Sequence, residues 1–311
     1  MAIIYFCLIV IHAVFGVLAG DRFFPISFII GCVLEFIGYV GRSLGYKDPT
    51  KLSWYVVQSL GIAVAPILFM AGIYNTFGES IPVFGSKYSV LKPTKYRYIF
   101  IVSDVISFVV QCSGGGLSAY LASTDNGSDV GTNIMVAALA FQVFSMSVFM
   151  FLVLLFFYRV HKARKMKTYV VVEDPKYRYL EREYSAIRKP RYFRGYVYAY
   201  FIATILVYIR CVYRVAEMST GFTGPTSQKE VWFLVFDLLM IILAVGIVTI
   251  FYPGAALAKG RLRKWMIPEE IDARLVLELE PEMEQEMEQE MESEMEPETK
   301  LKKEQFRIRP L

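Results

Sequence analysis

Histidine is nearly missing from this chain: its 311 residues include only His12 and His161. That scarcity excludes a zinc hydrolase built from several imidazoles, although a metal site made of carboxylates alone stays open. No G-x-x-x-x-G-K-[ST] phosphate loop occurs, which argues against an ATP-driven pump within the chain. A G-x-S-x-G nucleophile elbow is absent too, and no other catalytic constellation stands in for it. The four cysteines, Cys7, Cys32, Cys112 and Cys211, fall inside apolar runs rather than loops. They read as small packed side chains, not as a disulfide framework.

What is abundant is apolar. Hydrophobic residues make up 55% of the chain, aromatics 15%, and the mean hydropathy is +0.43, too high for one soluble domain of this length. Runs long enough to cross a bilayer, roughly 17 to 25 residues each, fall near 2–19, 23–41, 54–74, 98–121, 133–157, 196–213 and 231–252. The chain is therefore expected to be an all-α polytopic membrane protein, with seven transmembrane helices in 1–258 and a tail in 259–311. The seventh run contains no Lys, so the Schiff base of a seven-helix retinal protein is impossible there. No cofactor is called for. The expected partners are membrane lipids or amphiphilic small molecules, not nucleic acid.

Loop charge orients the bundle. The stretch 159–194 carries about a dozen Lys and Arg, including "RVHKARKMK" and "IRKPRYFRG", whereas 122–132 carries none. By the positive-inside rule the former is cytoplasmic and the latter outside. Alternation then puts 75–97 in the cytoplasm, the N-terminus outside and "KGRLRKW" (259–265) inside, against which stand Arg42, Lys47 and Lys51 in an outer loop. "GVLAG" (16–20) ends in a small-x-small pattern like a signal-peptidase site, but no basic residue precedes it, so the first run is expected to stay as a span. The sequon Asn126-Gly127-Ser128 lies in an outer loop, as glycosylation requires. Beyond residue 268 the composition turns to "EPEMEQEMEQEMESEMEPE" (280–298), a self-repelling low-complexity tail that reads as a solvated appendage.

Ionisable groups inside the spans are the candidates for function. Arg210, Arg214 and Glu217 are spaced i, i+4, i+7, which gathers them on one helical face. A guanidinium at membrane depth costs at least ~3 kcal/mol, so it needs a partner, a wet cavity or a route to the interface. From the helical rise, Arg210 lies ~22 Å above the cytoplasmic edge and Asp237 ~9 Å below the outer one, so their depths coincide. Asp237 is the first-choice partner for Arg210 and Glu35 the second, inside a bundle cavity. Glu35, Gln58, Gln111 and Gln142 add polar groups to roughly the same layer. Arg214 and Glu217 lie near enough to the outer interface to snorkel, and Asp104, a turn or two above the cytoplasmic edge, suits a structural or interfacial role as well as a functional one. Gly114, Gly115 and Gly116 in "QCSGGGLSAY" fit close helix packing before ligand approach. Pro66 frees a backbone carbonyl and predicts a kink.

The blocks "FIIGCVLEFIGYVGR" (28–42), "QSLGIAVAPILFMAGIY" (58–74), "SDVISFVVQCSGGGL" (103–117), "IRCVYRVAE" (209–217) and "VFDLLM…FYPG" (235–254) together resemble the fungal lipid-translocating exporter family of the Resistance To Aminocholesterol type. The resemblance runs from about residue 20 to 254. It marks Gly31, Glu35, Gly38, Tyr39 and Arg42, then Gln58, Pro66, Tyr74, Asp104, Gln111 and Gly114 to Gly116. It also marks Gln142, Arg210, Arg214, Glu217, Asp237, Pro253 and Gly254. Where the family commonly has His-Glu before the last span, this chain has Lys229-Glu230. The resemblance implies a seven-span plasma-membrane protein that exports amphiphiles such as sphingoid long-chain bases or aminosterols without ATP. In that reading Glu35, Gln58, Gln111, Gln142, Arg210 and Asp237 face the substrate, while Arg42, Pro66, Asp104, the three glycines, Arg214 and Glu217 support or gate. The alternative is a seven-span receptor or stress sensor acting on lipid asymmetry indirectly; a lipid-modifying enzyme is disfavoured.

Overall fold

The computed structural model describes residues 2–47, 52–123, 129–165, 191–219 and 230–257. These belong to one compact unit, Met1–Tyr169 with Ile187–Met266; the other unit, Val170–Ala186 with Ile267–Leu311, lies outside the described residues. So do the sequon, most of the basic loop, Lys229 and the acidic tail.

Among the described residues every regular element is helical. Lipid leaves no alternative for a single unpaired segment, because only a helix satisfies its own backbone donors and acceptors. In chain order the helices are α1 (Ala2–Ala19), α2 (Phe23–Lys47), α3 (Leu52–Phe84), α4 (Pro93–Ser123), α5 (Asp129–Lys165) and α6 (Arg191–Ser219). A short α7 (Glu230–Phe233) then passes through a π-helical turn (Leu234–Leu239) into α8 (Met240–Ile250), followed by α9 (Pro253–Ala256). Six stretches are long and apolar enough to cross a membrane: Phe23–Tyr46, Leu60–Phe84, Pro93–Ser118, Val130–Ala163, Arg191–Ser219 and Val231–Ala256. The first apolar run is shorter, Ile3–Ala19, at the lower edge of the ~17 to 25 residues a span takes.

Polarity runs inside out. Val105, Val109, Phe144 and Phe151 on α4 and α5 are exposed, whereas Glu35, Asp104 and Asp237 are fully buried. That is the arrangement lipid selects, since ionisable groups in a span turn to the bundle interior.

The helices outrun their apolar windows, and this corrects the expected loop at 75–97. α3 continues to Phe84, with only the turn Ser86–Tyr88 before α4 begins at Pro93. Its polar extension is held by side chains: Asn75 donates to Glu79 (3.1 Å), Arg97 donates to Asn75 (3.0 Å), and Ser80 shares a 2.7 Å hydrogen bond with Tyr196 of α6. The early start of α4 also relocates Asp104. It is fully buried about three turns into the helix, where the Tyr74 hydroxyl donates to its Oδ2 at 3.0 Å.

α2 and α3 pack backbone to backbone. A β-carbon added at Gly61 would lie 2.8 Å from the Leu34 carbonyl oxygen and 3.1 Å from the Gly38 Cα. Small residues at such a crossing let two spans approach where larger side chains would hold them apart. The close approach brings the turn carrying Glu35 beside Ile62, the first relation on which the polar site depends.

Candidate functional site

α6 presents Arg210, Arg214 and Glu217 along one face, and the π-helical turn delivers Asp237 to it. Arg210 Nε lies 2.8 Å from Asp237 Oδ1, and Arg214 Nε lies 3.9 Å from the same oxygen, so one carboxylate stands between two guanidinium groups. Arg214 also donates from Nη1 to Glu217 Oε2 at 2.9 Å. Snorkelling is therefore not how these two residues are accommodated: Arg214 and Glu217 turn inward, with only 18% and 7% of their side chains exposed. A carboxylate within reach makes inward pairing available, and the interface is no longer needed.

The third partner of Arg210 comes from the backbone. Pro66 lies inside α3 and has no N–H, so the carbonyl four residues before it, that of Ile62, has no helical donor. Arg210 Nη2 fills that gap with a 2.7 Å hydrogen bond. A guanidinium suits the task because its planar fork offers several donors at fixed angles. Pro66 interrupts hydrogen bonding while the helix carries on through it, and the freed acceptor helps to seat a buried charge.

Glu35 completes the cluster from α2, with Oε1 4.0 Å from Arg210 Nη2. Both of its oxygens are buried without a hydrogen-bond donor, and so are both oxygens of Asp237. The Arg210–Asp237 contact is thus a short Coulombic pair without hydrogen-bond alignment. Of the two carboxylates flanking Arg210, Glu35 is the one less compensated by distance. The expected cavity is not seen around these groups: Glu35 and Asp237 are 0% exposed and Arg210 3%. They are packed, and compensation comes from one another rather than from water.

Aromatic rings close the site around the π-helical turn. Trp232 stacks on Phe236 and Phe236 on Tyr213, with centroids 5.4 and 5.6 Å apart, and the Arg42 guanidinium lies 4.0 Å above Phe233. Arg42 is thereby a cation–π anchor joining α2 to α7. The sequence held no clear signal for the π-helical turn; such single-turn insertions recur at functional sites, where they re-aim a side chain.

Two of the three amides bond to each other rather than to a charged side chain. Gln111 donates to Gln142 at 3.0 Å across the α4–α5 seam, because each is the other's nearest means of satisfaction in an apolar interface. Gln58 is half-buried and makes no side-chain hydrogen bond among the described residues. The three glycines also divide. A β-carbon at Gly114 would sit 2.8 Å from the Met135 backbone nitrogen, one at Gly115 only 3.8 Å from the Met135 sulfur, and one at Gly116 in open space. Close packing explains Gly114 alone of the three, and its counterpart is Gly131, where a β-carbon would run into the Ser118 backbone nitrogen.

Residues missed in the sequence include Ile62, which contributes through its carbonyl, and His12, fully buried and 3.0 Å from the Thr249 hydroxyl. The i−4 relation to Pro66 singles out Ile62; nothing in the sequence pairs His12 with Thr249. Among the described residues no three His, Cys, Asp or Glu side chains are grouped to hold a metal ion. The four cysteines are free, Cys32 and Cys211 buried and Cys7 and Cys112 exposed.

Apolar helices wrapped around an Arg-carboxylate cluster define an all-α polytopic integral membrane protein. The model of the family described as RTA1 like protein matches residues 28–260, a range that contains the whole cluster, and the chain belongs to that family. It is 31% identical over 275 residues to the sphingoid long-chain base transporter RSB1 of Saccharomyces cerevisiae, covering 84% of this chain and 72% of the relative. From the same organism, protoporphyrin uptake protein 1 is 29% identical over 230 residues (73% of this chain, 68% of the relative). Protein RTM1 is 28% identical over 225 residues (72% and 65%). No solved structure matches the chain.

Proposed function

We propose that this protein is a transporter, or floppase-like exporter, of amphiphilic lipids with cationic heads, such as sphingoid long-chain bases or aminosterols. The observation that carries the reading is Glu35: a carboxylate buried mid-bundle, with both oxygens lacking a donor, beside an arginine already engaged by Asp237 and Ile62. An ammonium headgroup supplies the donors and the charge that Glu35 lacks, while the surrounding apolar helices accept a hydrocarbon tail. The likeness to a transporter of sphingoid long-chain bases supports the substrate class. Export rather than catalysis, a plasma-membrane location, an outside N-terminus and a cytoplasmic tail belong to the same proposal.

Because the cluster is closed to solvent, transport requires the helices around Arg210 to part. Purified protein in liposomes, supplied with a labelled long-chain base in one leaflet, tests this directly. Transfer to the other leaflet without ATP is the expected result. The complete burial of the charges also favours a second reading, a receptor whose ion pairs lock one conformation. Saturable binding of the amine with no transfer supports that reading and overturns the first.

A further inference from the structure

Away from the charged cluster, α5 and α6 leave an open groove beside Phe84 of α3. Its wider part, about 420 Å³, lies between Leu154, Phe157 and Val160 of α5 and Phe193, Val197 and Phe201 of α6. It shares Phe157, Val197 and Phe201 with a narrower apolar cavity that reaches inward to Phe149 and Thr204, so the two adjoin along the helices. From Phe193 to Thr204 this is about 16 Å of helical rise. On α6 the groove takes residues 193, 194, 197, 198 and 201, one face of the helix; Arg210, nine residues beyond Phe201, points about 180° away from it at 100° per residue. The groove is therefore distinct from the Arg210 site.

Chemistry changes at one end. Arg194 and His161 line the mouth, and both are exposed. Exposed Arg159, Lys162 and Arg191 lie on the same two helix ends, and neither 155–165 nor 191–198 contains an acidic residue. A long apolar slot that opens on clustered guanidinium and imidazole donors is complementary to an amphiphile of the opposite sign from the one proposed above. We propose that this groove binds one membrane lipid with a net-anionic phosphomonoester headgroup, its chain between Leu154 and Val197 and its phosphate on Arg194 and His161. Arg offers paired donors to phosphate oxygens, and basic pockets between spans are suited to anionic headgroups. A free phosphate would leave the slot empty, so the occupant is a lipid.

The test is native mass spectrometry of the full chain in detergent, titrated with phosphatidic acid or with phosphatidylcholine carrying the same acyl chains. Phosphatidic acid is expected to bind about tenfold tighter, the scale of one charge-assisted hydrogen bond. Arg194→Gln combined with His161→Gln removes that preference and leaves phosphatidylcholine binding as it was. Val197→Trp fills the slot and weakens both lipids together; Leu154→Trp, on the opposite wall, does the same if the first variant does not stay monodisperse. Equal binding of the two lipids by the native chain, no lipid adduct at all, or a preference that survives the double substitution overturns the proposal. Transport of a long-chain base is not the readout, so failure here leaves the exporter reading untouched.

Discussion

Arg210 donates a 2.7 Å hydrogen bond to the carbonyl of Ile62, the acceptor that Pro66 deprives of its helical donor. A break in α3 and a charge on α6 thus answer each other across the bundle. Pro66→Ala restores an N–H that competes with Arg210 for the same oxygen. One hydrogen bond is exchanged for another, each worth about 1 kcal/mol net, so melting temperature in detergent should hold or rise. Resistance of cells to a toxic long-chain amine should fall, because Arg210 loses the contact that fixes its position. Unchanged resistance at unchanged expression would show that the carbonyl is only a convenience.

The 2.8 Å Arg210–Asp237 pair is fully buried, so removing either partner strands the other. Arg210→Ala or Asp237→Ala should each cost about 3 to 5 kcal/mol and lower folded abundance in membranes. The double substitution should recover part of that loss by non-additivity, as read by fluorescence-detected size exclusion. Additive losses would mean the two side chains do not depend on one another. Glu35→Gln behaves differently: at 4.0 Å and without a hydrogen bond, the carboxylate contributes little to folding. Abundance should stay near that of the native chain while transfer of a cationic amphiphile in liposomes is lost.

Gln111 and Gln142 satisfy each other. Replacing one by Leu leaves an amide without its partner, at a cost on the order of 1 to 2 kcal/mol in a membrane interior. Replacing both should recover most of it, since an apolar seam loses no hydrogen bond. Transport by the double variant should be retained, because the pair does not touch the Arg210 cluster; its loss would return both amides to the substrate path.

Gly114 and Gly116 are two residues apart yet should respond oppositely to alanine. At Gly114 the new β-carbon would press within 2.8 Å of the Met135 backbone nitrogen, whereas at Gly116 it meets nothing within 4 Å. Gly114→Ala should force α4 and α5 apart and lower the melting temperature. Gly116→Ala should be neutral or stabilising by up to about 1 kcal/mol, the difference in helix propensity. Equal responses in a thermal-shift measurement would remove the packing account of Gly114.

The sequence by itself determined that the chain crosses the membrane as helices, because long apolar runs in lipid can satisfy their backbone in no other way. It also determined that Arg210, Arg214 and Glu217 share a face and that Arg210 and Asp237 meet at one depth, since helical rise and pitch are fixed numbers. Tertiary structure alone decided which side chains those groups turn toward. Arg214 could have reached the interface, and turned inward because the π-helical turn carries Asp237 to within 3.9 Å of it. Gln111 and Gln142 could each have turned to a charged side chain, yet bond to one another across the α4–α5 seam. Depth follows from position along one helix, but partnership depends on the rotation and spacing of several. Those are set by contacts such as Gly38 against Gly61, which no single segment contains.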